Sequence, residues 1–88
     1  MISQSQVNAI AATIETSGVD ETTVSALRQH YQSIHFTYCM DDDLPNNTPV
    51  IEHKDFNLYL IDGREHCLCL TNDYETATGI VVAEIIAD

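Results

Sequence analysis

The chain is expected to fold as an α+β domain: an N-terminal helical hairpin packed on one face of an antiparallel sheet of three to four strands. Three observations predict it. Val7, Ile10, Ala11, Ile14, Val24 and Leu27 recur at helical spacing. The period then switches to two at Ile34-His35-Phe36-Thr37-Tyr38-Cys39. Further on, two strand-like runs flank Asp62-Gly63, a dipeptide suited to the positive φ angles of a tight hairpin turn. With 88 residues there is room for a single domain, 1–88, with one modest core.

The first helix is predicted over 3–17. Ser3 and Gln6 have capping-box spacing, and Ile2 and Val7 can form a hydrophobic staple. Gly18 stands where a left-handed residue ends a helix. Asp20 is the N-cap of the second helix, with Val19 and Val24 repeating the staple. Val24, Leu27 and Tyr31 mark its buried face. In the strand that follows, Ile34, Phe36 and Tyr38 share one face, and His35, Thr37 and Cys39 the other. Residues 40–48 hold turn formers and read as a loop. Pro49 keeps Thr48 extended, and Val50 and Ile51 begin a strand that firms up from Asp55.

A two-residue turn at Asp62-Gly63 puts Ile61 opposite Arg64 and Tyr59 opposite His66. Phe56, Leu58, Leu60, Cys67 and Cys69 then form an apolar face. Asn57, Tyr59, Ile61, Arg64, His66, Leu68 and Leu70 form a mixed one. Asn72 and Glu75 suggest a helical turn over 73–78, with Gly79 as its stop. The β-branched run Ile80-Val81-Val82-Ala83-Glu84-Ile85-Ile86 reads as a final strand, with a continuous helix over 73–87 as the alternative. Helices on one side of a small sheet leave the other face partly bare, with Tyr59, Ile61, Leu68 and Leu70 on it. Such a face asks for a partner or a second copy of the chain.

The formal net charge is -11, from 14 acidic residues against three basic ones, Arg28, Lys54 and Arg64. Phosphate backbones and anionic membranes need clustered cations, so nucleic acid and membrane are excluded as partners. A basic protein surface or a cation stays open as a partner, while the commoner reason for such a charge is to keep a small protein soluble. No apolar run approaches the ~20 residues that span a bilayer. The first residues lack the basic start and apolar core of a signal peptide, so the reading is a cytoplasmic protein with its three cysteines reduced.

A zinc or iron site is the first candidate for chemistry, with His35, Cys39 and His66 as ligands. Spacing opposes a wider set. His66 and Cys67 point to opposite faces of a regular strand, and Cys67 and Cys69 share the apolar face, where cysteine packs as a small hydrophobe. Carboxylates beside Cys39 should raise its pKa and quiet the thiol. The run Asp41-Asp42-Asp43 would attract a hard cation, but the EF-hand pattern fails at Pro45, and a solvated acidic loop is the better reading. A Cys-His-Asp relay has no support in spacing: His35 and Cys39 lie roughly 13 Å apart on one strand at ~3.3 Å per residue. With glycine only at 18, 63 and 79, no phosphate loop or nucleophile elbow is present.

His35-Phe36-Thr37-Tyr38-Cys39 with Asp41-Asp42-Asp43, Asn57-Leu58-Tyr59-Leu60 with Asp62-Gly63-Arg64, and His66-Cys67-Leu68 with Leu70-Thr71 resemble a small bacterial family of unassigned function. That family is associated with genes near nitrogen-fixation clusters. The resemblance implies an accessory role around metallocluster assembly or electron supply, with no catalytic residues to carry over. The sequence thus points to an acidic accessory protein acting through protein contacts or as a homodimer. Its candidate contact residues are Asp41, Asp42, Asp43, Tyr59, His66 and Leu68. No resident cofactor is called for on that reading, with the metal site as its alternative.

Overall fold

In a computed structural model of the chain, residues 2–44, 48–63 and 69–86 are described. Two helices, α1 (Gln4–Ser17) and α2 (Glu21–His30), precede five strands. These are β1 (His35–Met40), β2 (Ile51–Glu52), β3 (Phe56–Asp62), β4 (Cys69–Thr71) and β5 (Gly79–Glu84). The expected N-caps are present, whereas the C-cap Gly18 is not in the left-handed helical conformation. Ser3 and Gln6 close a full capping box, and the Asp20 carboxylate accepts from the Thr23 N–H at 2.8 Å. Gly18 ends α1 at φ 102° and ψ 160°, a backbone that a Cβ would strain.

The sheet runs β1-β5-β3-β2, with β4 beside the far half of β3. β5 pairs antiparallel with β3, from Phe56 opposite Glu84 to Ile61 opposite Gly79. It pairs with β1 in parallel, from His35 opposite Gly79 to Met40 opposite Glu84. The sheet is therefore mixed, and the purely antiparallel expectation is corrected. The reason lies in β5. Its run Ile80-Val81-Val82-Ala83 is buried on both faces. A strand apolar on both sides belongs in the middle of a sheet, and the last strand inserts there. Its strand assignment also overturns the alternative of a continuous helix. The turn before it is built by Asp73, not Asn72: the Asp73 carbonyl accepts from the Ala77 N–H at 3.1 Å and its carboxylate from the Glu75 N–H at 2.9 Å.

The Asp62-Gly63 hairpin is corrected too. Asp62 stands opposite Cys69 and Ile61 opposite Leu70, so Asp62 belongs to the pairing and not to a two-residue turn with Gly63. The Gly63 N–H goes to Thr78 Oγ1 at 2.9 Å. The partner of Ile61 is shifted from Arg64 to Leu70, an even number of residues, which preserves face parity, so Ile61 and Leu70 still share a side.

Both helices lie over one face, α2 against β1 and α1 against β2, and they also touch each other. Between helices and sheet sits the main core, where Val7, Ile10, Ile14, Val24 and Leu27 meet Phe36, Phe56, Leu58, Leu60, Ile80 and Val82. The opposite face is not bare. Tyr59, Ile61, Val81 and Ala83 are buried there, with Cys39, Leu44 and Leu70 packed against them. A 3-10 turn at Asp41–Asp43 carries Leu44 onto that face. Among the described residues no helix is long and apolar enough to cross a membrane.

Candidate functional site: an acidic end of the sheet

Because β1 and β5 run parallel and β3 runs against them, the ends of β1 and β5 and the start of β3 meet at one end of the sheet. The chain leaves β1 there into Asp41–Asp43, and β5 finishes there at Glu84. Asp55 sits just before β3, its carbonyl accepting from the Ile85 N–H at 2.9 Å. The start of α2 lies at the same end, where the charges of Asp20 and Glu21 are felt at Tyr38. Asp20, Glu21, Asp41, Asp42, Asp43, Asp55 and Glu84 therefore gather in one region. Arg28 pairs with Glu21 at 2.8 Å, and Lys54 stands beside Asp55 in sequence, so the balance there stays strongly negative.

Two tyrosines tie this end together. The Tyr38 hydroxyl donates to Glu84 Oε1. That bond to a carboxylate, then burial, then the charge of Glu84 push the phenol up to about 12. On the other face, Asp41 Oδ1 accepts from the Tyr59 hydroxyl at 2.9 Å and from Asn57 Nδ2 at 2.9 Å. Burial and the Asp41 bond raise the Tyr59 pKa. Cys39 is half-buried, and its pKa rises through burial first and then through Asp43 and Asp41. The expected effect of the neighbouring carboxylates is present, second to desolvation.

The candidate contact residues are distributed unevenly. Asp42 and Asp43 are exposed, whereas Asp41 is half-buried in the tyrosine network and is not part of a freely solvated loop. Tyr59 is only 3% exposed, packed inward instead of lying on an open face. His66 and Leu68 lie outside the described residues, as does Cys67. Cys69 is exposed, against the expectation of a core position. It keeps the parity of the apolar face but sits opposite Asp62, beyond the last core residue of β3.

The structure does not bring His35 and Cys39 together, since they occupy opposite ends of β1. His35 and Tyr59 are also apart, because β5 intervenes and Gly79 stands between His35 and Ile61. Among the described residues no group of three or more His, Cys, Asp or Glu converges as metal ligands would. A cleft at the far end of the sheet is lined by Gln32, Ser33, His35, Gly63 and Thr78, and another lies between the helices beside Thr13, His30 and Tyr31.

Sequence reasoning missed the Tyr38–Glu84 pair, whose members are 46 residues apart. It also missed His53, which stacks on Phe56 with ring centroids 4.5 Å apart and approaches Glu15 at 3.9 Å. The Tyr38–Glu84 pair has no local signal, because it depends on which strands neighbour one another, whereas the His53–Phe56 stack is local, closed by the His53 N–H donating to the Phe56 carbonyl at 2.9 Å.

The fold and this end of the sheet define a small acidic α+β domain. The chain belongs to the family of unknown function DUF6129, whose model matches residues 8–85. No curated protein and no solved structure matches it.

Proposed function

We propose that this protein is a small acidic accessory module of the bacterial cytoplasm that acts by binding a protein partner, not by catalysis. The observation that carries this reading is the gathering of carboxylates at one end of the sheet, with Asp42 and Asp43 exposed on a tethered 3-10 turn. A basic protein surface complements that end, and electrostatic complementarity chiefly sets encounter rate and partner choice. The net charge of -11 disfavours phosphate backbones and anionic lipid for the same reason. The resemblance to a family near nitrogen-fixation genes supports a partner in metallocluster assembly or electron supply.

Cross-linking capture from native extract tests it, comparing the wild type with Asp42→Lys/Asp43→Lys. A protein retained by the wild type and lost from the charge-reversed variant supports the reading. A partner held equally by both would sink it. Sedimentation of the purified chain separates the homodimer: a mass of one chain across the accessible concentrations removes self-association.

A further inference from the structure

The two edges of the sheet are unlike. One is covered by the short strands β2 and β4, set side by side along β3. The other is β1, six residues long and, among the described residues, paired on one side only. Natural edge strands are usually blunted by charge, proline or a bulge. His35-Phe36-Thr37-Tyr38-Cys39-Met40 carries no acidic, lysine, arginine or proline residue.

The backbone directions follow from one bond. The His35 N–H points inward to the Thr78 carbonyl at 3.1 Å. Alternation along a strand then turns the backbone groups of Phe36, Tyr38 and Met40 outward. Phe36 confirms this, since its carbonyl accepts from Arg28 Nε and Nη2 at 3.4 Å each. Arg28 thus occupies the lower part of the edge, and the upper part, at Tyr38 and Met40, lies at the acidic end.

A strand laid along that upper edge would point successive side chains to alternate faces of the sheet. Carboxylates flank both faces there. On the helix side Glu21 follows the Asp20 cap and holds Arg28, whose guanidinium reaches the Phe36 carbonyl on this same edge. On the opposite side, Asp42 and Asp43 are exposed on the 3-10 turn that follows β1 and carries Leu44 onto that face.

We propose that the upper edge of β1 is a strand-addition site for an extended, lysine- or arginine-rich segment of a protein partner. The segment pairs with the outward backbone groups of Tyr38 and the Met40 N–H. Its basic side chains meet Asp20 and Glu21, the latter shared with Arg28, on one face and Asp42 and Asp43 on the other. Main-chain pairing supplies affinity, and the two-sided charge supplies selectivity. Charge favours this occupant over a second copy, which would bring a further -11 to the same edge. The proposal rests on the reading of the protein as an acidic binding module and names its mode of binding.

The probe is an acetylated, amidated heptapeptide alternating lysine with valine. Its control alternates lysine with proline, at equal charge but unable to pair as a strand. Binding is followed by NMR and amide hydrogen exchange on the full chain. The lysine-valine peptide is expected to protect the Tyr38 and Met40 amides and to bind at least ten-fold more tightly than the control. Met40→Pro removes one outward N–H, and the Met40 backbone, at φ -88° and ψ 143°, is close to what proline adopts. That variant should lose about ten-fold in affinity. Asp43→Asn should weaken binding and flatten its salt dependence.

Equal binding of both peptides, or protection elsewhere, would overturn strand addition while leaving an acidic binding module standing. Protection of the same amides by concentrating the protein, with no peptide effect, would overturn the basic segment in favour of a second copy. Failure of both peptides, together with no charge-dependent partner in the capture experiment, would overturn the site and the functional reading together.

Discussion

Asp41 and Tyr59 show how one carboxylate is used structurally inside an acidic run. Asp41 accepts from the buried Tyr59 hydroxyl and from Asn57. Removing that acceptor strands the hydroxyl away from water, which costs about 1–3 kcal/mol. Asp41→Ala should lower urea-unfolding stability by that amount, while Asp42→Ala, at an exposed position, should change it by less than about 0.5 kcal/mol. Equal effects would mean that the Asp41 network contributes nothing particular. Tyr38 offers a titration. Its phenol is pushed up to about 12 from an ordinary 10.0, first by the bond to Glu84. The folded state therefore holds the proton more tightly than the unfolded one. The stability this contributes is complete below pH 10 and is lost as the pH rises toward 12. In Glu84→Gln the Tyr38 midpoint should fall toward 10, read as the ultraviolet difference from Tyr38→Phe. An unmoved midpoint would remove Glu84 as the cause.

At the scale of elements, the helix ends were legible because capping is local. Ser3 with Gln6 and Asp20 with Thr23 lie within one helical turn, and each pair bonds as its spacing implies. Asp20→Ala should cost about 1 kcal/mol of stability. The strands were legible as elements but not as neighbours. β5 announces its central place by apolar residues on both faces, a signal that could have separated it from the alternating β1. Gly79 is the point where these two strands close. A Cβ there would sit 2.5 Å from the His35 carbonyl oxygen, which is backbone and cannot rotate aside. Gly79→Ala should push β1 from β5 and cost about 1–3 kcal/mol, by analogy with overpacked cores. Thermal unfolding that matches the wild type would show that the strands separate without strain.

Over the whole molecule, charge is the dominant variable. The domain measures 35 × 29 × 20 Å and carries -11. At about 0.01 M salt the screening length is roughly 30 Å, so carboxylates repel across the full width of the domain. At about 0.15 M it is roughly 8 Å and only neighbours interact. The melting temperature should therefore rise with salt over this range, most of all through relief at the acidic end. A fall would mean that ion pairs such as Arg28–Glu21 outweigh the repulsion. The second face of the sheet also belongs to this scale. Among the described residues two α-helices are present and both cover one side, so a bare opposite side was the natural expectation. Instead the 3-10 turn brings Leu44 across it, and Tyr59 and Ile61 become core.

By itself the sequence determined the α+β class, both helices with their N-caps, the positions of the main strands, the face parity of β3 and the acidic character of the surface. These rest on periodicity, capping and composition, which act over a few residues or over the sum of all of them. Only the tertiary structure decided that β5 inserts between β1 and β3, that the sheet is mixed, that Asp41 is bonded while Asp42 and Asp43 stay exposed, and that β1 is the edge among the described strands. Those features depend on pairings between segments tens of residues apart. Several pairings bury similar apolar area, and local pattern cannot rank them. The acidic end exists only because one of them places the ends of β1 and β5 beside the start of α2.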